Sequence, residues 1–290
     1  MTTILGSGPL AIALTKALLR LNPNERITLI NTNRTGKMMT HNDVCAVARD
    51  ITAQNNGGDI ATRPQLIFDC TGVPCRDSRI SDAAKVCDLE RALRGSSARL
   101  VLARTHNVYN DMPGNILQNS NGELIQYVAI VKATNVIGPE IDTGIFGIDF
   151  LNNLYKHNRF WFSQKLDHPY SFTYIDDFAK ALIRVGSATD TFGHIWHAPQ
   201  TPAMSLDKWV HLFEVNTSRK ARMIILPRKL SQFVNLFRSR ISRLADLCEV
   251  QDRDQVYHSK YTDRFGNDVT YPSTIVKQIV QWFNKKKEII

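Results

Sequence analysis

Short apolar runs alternate with helical patterns through the first half of the chain. Strand-like runs fall at residues 3–5, 27–31, 44–48, 66–70, 100–103 and 127–132. Apolar positions with helical spacing fall at 10–21 and 80–94. Alternation of this kind predicts an α/β fold, a doubly wound parallel sheet with crossover helices. Asn55-Asn56-Gly57-Gly58 reads as a loop where a crossover would be short or missing. Past residue 140 the order is less regular, with helices predicted over 145–157, 176–186, 205–217, 228–247 and 273–285 and short strands at 194–198 and 223–226. The pattern predicts a Rossmann-type domain over residues 1–140 and a smaller C-terminal α/β substrate lobe over 141–290, interleaved with it in one globular unit.

Composition changes this picture little. The 290 residues are 43% hydrophobic and 22% charged, ordinary values for a globular protein. No uncharged apolar run approaches the ~18 residues of a membrane span, and Met-Thr-Thr leads into the first strand without a signal-like segment. Five cysteines, Cys45, Cys70, Cys75, Cys87 and Cys248, show no paired metal spacing. Cys45 and Cys70 sit in apolar strand patterns and read as buried reduced thiols, so the expected compartment is the cytoplasm. The net charge of +9 raises the question of an acidic partner. Basic residues concentrate in 228–243, where apolar positions 230, 233, 234, 237, 241 and 244 form one helix face opposite a basic one, and in Lys285-Lys286-Lys287. A solvated helix face is the commoner reading. No zinc-finger, homeodomain or RNA-recognition signature accompanies it, so nucleic acid is not an expected partner.

The first strand runs directly into Gly6-Ser7-Gly8-Pro9-Leu10-Ala11, a Gly-x-Gly-x-x-Ala turn that opens a helix. Dinucleotide-binding folds use this arrangement: the first glycine makes the tight turn and the second lets backbone approach a pyrophosphate. The small third residue keeps helix and strand close, and helix N–H groups face the anion. A carboxylate ending the second strand would suit the ribose of NAD; here the sequence is Asn31-Thr-Asn33-Arg34. Asn31 can bond a hydroxyl and Arg34 can pair with a 2′-phosphate, which leans to NADP over NAD. Arg34 as an ordinary turn residue remains open.

Several further motifs stand in one order. Asp50-Ile-Thr, Cys70-Thr71-Gly72, Thr105-His-Asn-Val-Tyr109-Asn110, Thr134-Asn135-Val-Ile-Gly138-Pro139 and Phe172-Thr-Tyr174-Ile-Asp176-Asp177-Phe-Ala179-Lys180-Ala181 follow the glycine turn, and Trp196-His197-Ala198-Pro199 and His258-Ser-Lys260-Tyr261 continue the register. Together they resemble the extended short-chain dehydrogenase/reductases, the NAD-dependent epimerase/dehydratase family, over nearly the whole chain. The resemblance implies a cofactor site at Gly6, Ser7, Gly8, Pro9, Leu10, Asn31, Asn33, Arg34, Asp50, Cys70, Thr71, Gly72 and Lys132, with Asp50 near the adenine. It implies a nucleotide-sugar or similar small-molecule substrate whose hydroxyl Thr105 would bond. Simpler readings stand beside several of these. Asp176 and Asp177 can cap a helix, Phe172 and Tyr174 alternate as core strand residues do, and Asp50 can end a strand.

The family's acid/base pair is a Tyr-x-x-x-Lys on a helix between the Tyr-Gly turn and the sixth strand. Here only Asn110 to Gln126 separates Tyr109 from that strand, with glycines at 114 and 122 and little helical periodicity. Tyr127 and Lys132 do not replace it: five residues apart, they face different sides of a helix and opposite sides of a strand. His41 and His106 have no pattern that places them as bases. The sequence therefore leaves open an NAD(P)-dependent oxidoreductase or epimerase with non-standard acid/base residues, or a catalytically inactive dinucleotide-binding sensor or partner-binding protein on the same fold. An interaction protein using the basic 228–243 helix is a third reading. The oligomeric state has no sequence signal.

Overall fold

The computed structural model describes residues 2–30, 66–71, 98–106, 125–141, 144–162, 167–225 and 260–289. Strand β1 (Thr2–Leu5), helix α1 (Pro9–Leu21) and β2 (Ile27–Ile30) come first. Then follow β3 (Leu66–Asp69), β4 (Arg99–His106), β5 (Val128–Thr134), β6 (Val136–Ile137), α2 (Ile148–Lys156) and β7 (Arg159–Phe162). Next are β8 (Pro169–Tyr170), β9 (Thr173–Tyr174), α3 (Ile175–Ser187), β10 (Ile195–His197) and β11 (Met204–Ser205). Helix α4 (Leu206–Thr217), β12 (Arg222–Ile225), α5 (Lys260–Phe265) and α6 (Pro272–Ile289) complete the described elements. The strand predicted at 44–48, the loop at 55–58, the helices predicted at 80–94 and 228–247, and the segment from Tyr109 to Leu124 lie outside the described residues.

Two compact units emerge, and neither is one half of the chain. The first comprises Met1–Thr134, Ile175–Pro199 and Ser259–Asn267; the second comprises Asn135–Tyr174, Gln200–His258 and Asp268–Ile290.

The first unit is a wholly parallel sheet in the order β2-β1-β3-β4-β5-β10 among the described residues. Strands that are apolar on both faces read as continuous runs, and β5 is buried at every position. This is a Rossmann-type parallel sheet with flanking helices. Chain order reverses across β1, with β2 on one side and β3 on the other, and that crevice is where such sheets accept ligands. Helices α1 and α3 pack on each other. Helix α3 is the more deeply set, with Phe178, Ala179, Ala181, Leu182 and Val185 fully covered. Gly186 permits that depth, because a Cβ there would lie 3.0 Å from Leu66 Cδ2 and 3.1 Å from Phe68 Cζ. Helix α5 adds Phe265, whose ring packs 5.8 Å from that of Trp196 on β10.

The second unit is built around aromatic rings. Phe146 sits among Phe150, Phe172, Trp209 and Phe213 at centroid distances of 5.0 to 6.0 Å. Phe150 stacks on Phe160 of β7 at 4.6 Å. Small two-stranded sheets, β12 with β7, β11 with β8 and β6 with β9, frame that core. Phe172 and Tyr174 are buried, at 2% and 3% exposed, but only Tyr174 lies in a strand and Thr173 between them is buried too, so core packing rather than strand alternation accounts for them. Among the described residues no helix is long and apolar enough to cross a membrane, and no group of three or more metal-ligating side chains occurs.

Candidate functional site

The glycine turn is where the sequence places it. Gly6 is buried and has φ +112°, a region open to glycine and strained for other residues. A Cβ on Gly6 would stand 3.3 Å from the backbone C of Cys70 and 3.3 Å from the backbone N of Thr71. The turn is pinned from both neighbours: Gly6 N–H donates to the Ile30 carbonyl (2.8 Å), and Cys70 N–H donates to that of Leu5 (2.9 Å). Glycine is thus required twice, by dihedral and by contact. Three predicted residues, Gly6, Cys70 and Thr71, come together here at the crevice between β1 and β3.

Helix α1 begins immediately afterwards. Gly8 is its extended N-cap, Pro9 occupies the first turn, no side chain caps the end, and no acidic residue stands in the first turn. Proline there loses no helical hydrogen bond, since its position has no intrahelical partner. The partial positive charge of the helix end is left without a carboxylate, as an anion site requires. Leu10 and Ala11, at 0% and 1% exposed, seat the helix on the unit's core, while Ser7 is exposed at the turn. These features fit the pyrophosphate of a dinucleotide.

The carboxyl end of β3 carries chemistry that the motif reading missed. Asp69 is buried at 1% exposed and accepts from Arg104 Nη1 of β4 at 3.0 Å. Its other oxygen accepts from the Thr71 backbone N–H (2.9 Å) and hydroxyl (2.5 Å), closing an Asx-type turn over Cys70. Arg104 also donates to the Ala103 carbonyl at 2.8 Å. Burial, followed by the neighbouring Asp69 carboxylate, pushes the Cys70 thiol far above its ordinary range, and the Arg104 charge offsets this only in part. Cys70 is therefore an inert packed thiol, in keeping with its sequence pattern.

The ladder continues this polar row. Arg104 is the register partner of Lys132 on β5, which pairs in turn with His197 on β10. Register partners share a face, so Arg104, Lys132 and His197 leave the sheet on one side. Thr105 pairs with Ala133 and therefore faces the other side. Lys132 is buried at 6% exposed and Thr105 is half-buried. The two predicted site residues lie on adjacent strands but do not converge from one face. Tyr127 precedes β5, whereas Lys132 lies toward its far end, about 16 Å along the strand at the usual rise. That separation excludes Tyr127 and Lys132 as a paired phenol and amine, as the spacing predicted.

Strand β4 also runs on to His106 rather than ending at Ala103, and β5 reaches Thr134 rather than ending at Lys132. The Asp69 partner lets Arg104 remain inside the sheet, so a charged residue does not end the strand. Charges closing two otherwise apolar strand runs, Leu-Ile-Phe-Asp69 and Val-Leu-Ala-Arg104, were the available signal. Asp176 and Asp177 stand in the first turn of α3, where carboxylates complement the helix end, and Asp177 is 2% exposed and bonded to Lys180 at 3.0 Å. Asn31, Asn33, Arg34, Asp50 and Gly72, together with His41 and the loop after Tyr109, lie outside the described residues.

No family model matches the chain, and no curated protein matches it by sequence. Solved structures do match by fold. UDP-glucuronic acid 4-epimerase from Bacillus cereus, in complex with UDP-glucuronic acid and NAD, is similar with a TM-score of 0.65 at 11% identity, covering 99% of this chain and 100% of that one. A dTDP-4-dehydrorhamnose reductase from Clostridium acetobutylicum gives 0.62 at 12% identity, covering 98% of this chain and all of the other. RMD from Pseudomonas aeruginosa, complexed with NADPH, gives 0.59 at 12% identity over 98% of this chain and 99% of the other. The chain thus has the fold of the extended short-chain dehydrogenase/reductases, epimerase/dehydratase type, over nearly its full length.

Proposed function

We propose that this protein binds NADP or NAD at the turn from Gly6 to Leu10 and acts as an oxidoreductase or epimerase on a nucleotide-sugar or sugar-like substrate. The observation that carries the reading is the glycine turn itself: Gly6 at φ +112°, packed against the Cys70–Thr71 backbone, followed by an uncapped helix start free of carboxylates. Similar structures that hold NAD or NADPH support it. In this reading Gly6, Ser7, Gly8, Pro9 and Leu10 hold the pyrophosphate, and Cys70, Thr71 and Gly72 floor the crevice. Asn31, Asn33 and Arg34 receive the ribose and its 2′-phosphate, which favours NADP. Asp50 approaches the adenine.

When bound, the nicotinamide would supply or accept the hydride. Thr105 would bond the substrate hydroxyl; Lys132, expected at the cofactor, leaves the sheet on the other face and would take no part in that step. The proton would be handled by residues other than a Tyr-x-x-x-Lys pair, and the second unit, Asn135–Tyr174, Gln200–His258 and Asp268–Ile290, would form the substrate lobe.

Calorimetric titration of the full chain with NADPH and with NADH tests this. Binding of NADPH more tightly than NADH is expected, with Arg34→Ala narrowing the difference. Absence of binding of either at millimolar concentration overturns the reading. Cofactor binding with neither an absorbance change nor any altered sugar nucleotide detected by chromatography across a substrate panel would instead identify a non-catalytic dinucleotide-binding protein.

A further inference from the structure

The glycine turn has a carboxylate beside it, which an anion site should not have. The start of α1 is free of acidic residues, yet the neighbouring strand β3 ends in Asp69. Asp69 is buried, and its Oδ1 accepts from the Thr71 N–H at 2.9 Å. That same backbone nitrogen stands 3.3 Å from where a Gly6 Cβ would lie. The carboxylate is therefore two contacts from the turn. An unneutralised like charge within about 8 Å, at an effective dielectric of about 20, weakens anion binding more than tenfold.

The two carboxylate oxygens have separate partners. Both Thr71 bonds, from the N–H and the hydroxyl, converge on Oδ1 and hold the Cys70–Thr71 peptide where Gly6 packs. An asparagine could accept those two bonds without a charge, so the Thr71 turn alone does not require an acid. Oδ2 accepts from Arg104 Nη1 at 3.0 Å. Arg104 is anchored in turn by its bond to the Ala103 carbonyl, and among the described residues it is the one cation paired with Asp69. Lys132 leaves the same face one strand farther from Asp69, at the register position beyond Arg104.

We propose that Arg104 is a positioning residue for the dinucleotide and acts through Asp69. It cancels the carboxylate charge beside the pyrophosphate while Oδ1 fixes the Thr71 turn. This rests on the glycine turn being the cofactor site. A pair that served stability alone would make binding follow unfolding in every variant. Here the two substitutions that break the pair act on binding in opposite directions. Asp69→Asn keeps an Oδ1 for Thr71 and leaves the Arg104 charge near the anion. Arg104→Met leaves the carboxylate charge there instead.

Calorimetric titration of the full chain with NADPH, on wild type, both single variants and Asp69→Asn/Arg104→Met, tests this, with urea denaturation of each in parallel. Asp69→Asn should bind at least as tightly as wild type although it is less stable. Arg104→Met should bind at least tenfold more weakly, and the double variant, which strands no charge, should return to within threefold of wild type. NADH, which has the pyrophosphate but no 2′-phosphate, should give the same order. Should Arg104→Met fail to fold, the other two variants carry the test. Binding more than threefold weaker than wild type in Asp69→Asn or in the double variant overturns the proposal, as does Arg104→Met binding within threefold of wild type. Wild-type protein that binds neither cofactor overturns the cofactor reading itself, before any variant is compared.

Discussion

Separating Asp69 from Arg104 should be the costliest polar change in the first unit, and the two single substitutions should differ. Replacing Asp69 with leucine leaves a guanidinium that is 8% exposed with the Ala103 carbonyl as its acceptor among the described residues. It also removes the acceptor of both Thr71 bonds. Breaking a buried pair in this way costs about 3–5 kcal/mol. Replacing Arg104 with methionine leaves a carboxylate that keeps two donors from Thr71, and each hydrogen bond to a charge retains roughly 1.5–3 kcal/mol of interaction. That variant should therefore lose only about 2–3 kcal/mol. The double variant Asp69→Leu/Arg104→Met strands no charge. Its loss should fall short of the sum of the singles by at least about 1.5 kcal/mol. Urea denaturation of the four proteins, with linear extrapolation to water, measures each quantity. Single losses below about 1 kcal/mol, or additivity within about 0.5 kcal/mol, would refute the reasoning.

Gly6→Ala should abolish NADPH titration and lower stability by roughly 1–2 kcal/mol from the positive φ alone, with the 3.3 Å contacts to Cys70 and Thr71 adding to it; unchanged binding would separate the turn from the cofactor. Because the folded Cys70 thiol titrates above its unfolded value, native protein holds an extra proton at alkaline pH. Its stabilising effect is complete below the unfolded thiol value, near 8.5, and should fade above it by about 1.4 kcal/mol per pH unit. Denaturation curves of the wild type between neutral and alkaline pH should show this slope, and Cys70→Ala should lack it. Phe146→Ala should cost about 3–5 kcal/mol by emptying the centre of the second unit's aromatic core, and a loss under 1 kcal/mol would show that those rings close the gap themselves.

Much of the sheet was legible in the sequence because its strands are short apolar runs between glycines and polar turns. The glycine turn was legible for a stricter reason, since few local sequences combine two glycines, a proline and a helix within reach of a first strand. The Asp69–Arg104 pair was not, because its members stand 35 positions apart and each looks like a strand-ending charge when read alone. The parallel pairing of β12 with β7 was hidden likewise, since Arg159–Phe162 follows α2 after two residues with no alternating pattern. Helix ends shifted where backbone rather than side-chain pattern decides them: α2 starts at Ile148, after the Gly144–Gly147 turn, rather than at 145. The approach of Arg219 and Lys287 to Tyr155 joins residues 64 and 132 positions away from that tyrosine, which no local window reports.

The division of the chain has a practical consequence for anyone who wishes to take it apart. The path passes from one unit to the other after Thr134, Tyr174, Pro199, His258 and Asn267, so each unit is assembled from three separated stretches. No single cut yields either one whole. A fragment ending near residue 140 would carry the glycine turn yet lack α3, which packs on α1, and β10, which lies beside β5. Such a fragment would expose the β5 edge and the helix face that α3 covers, and it should aggregate rather than fold. Binding measurements on this protein therefore belong to the full-length chain, and functions are better separated by point substitution than by truncation.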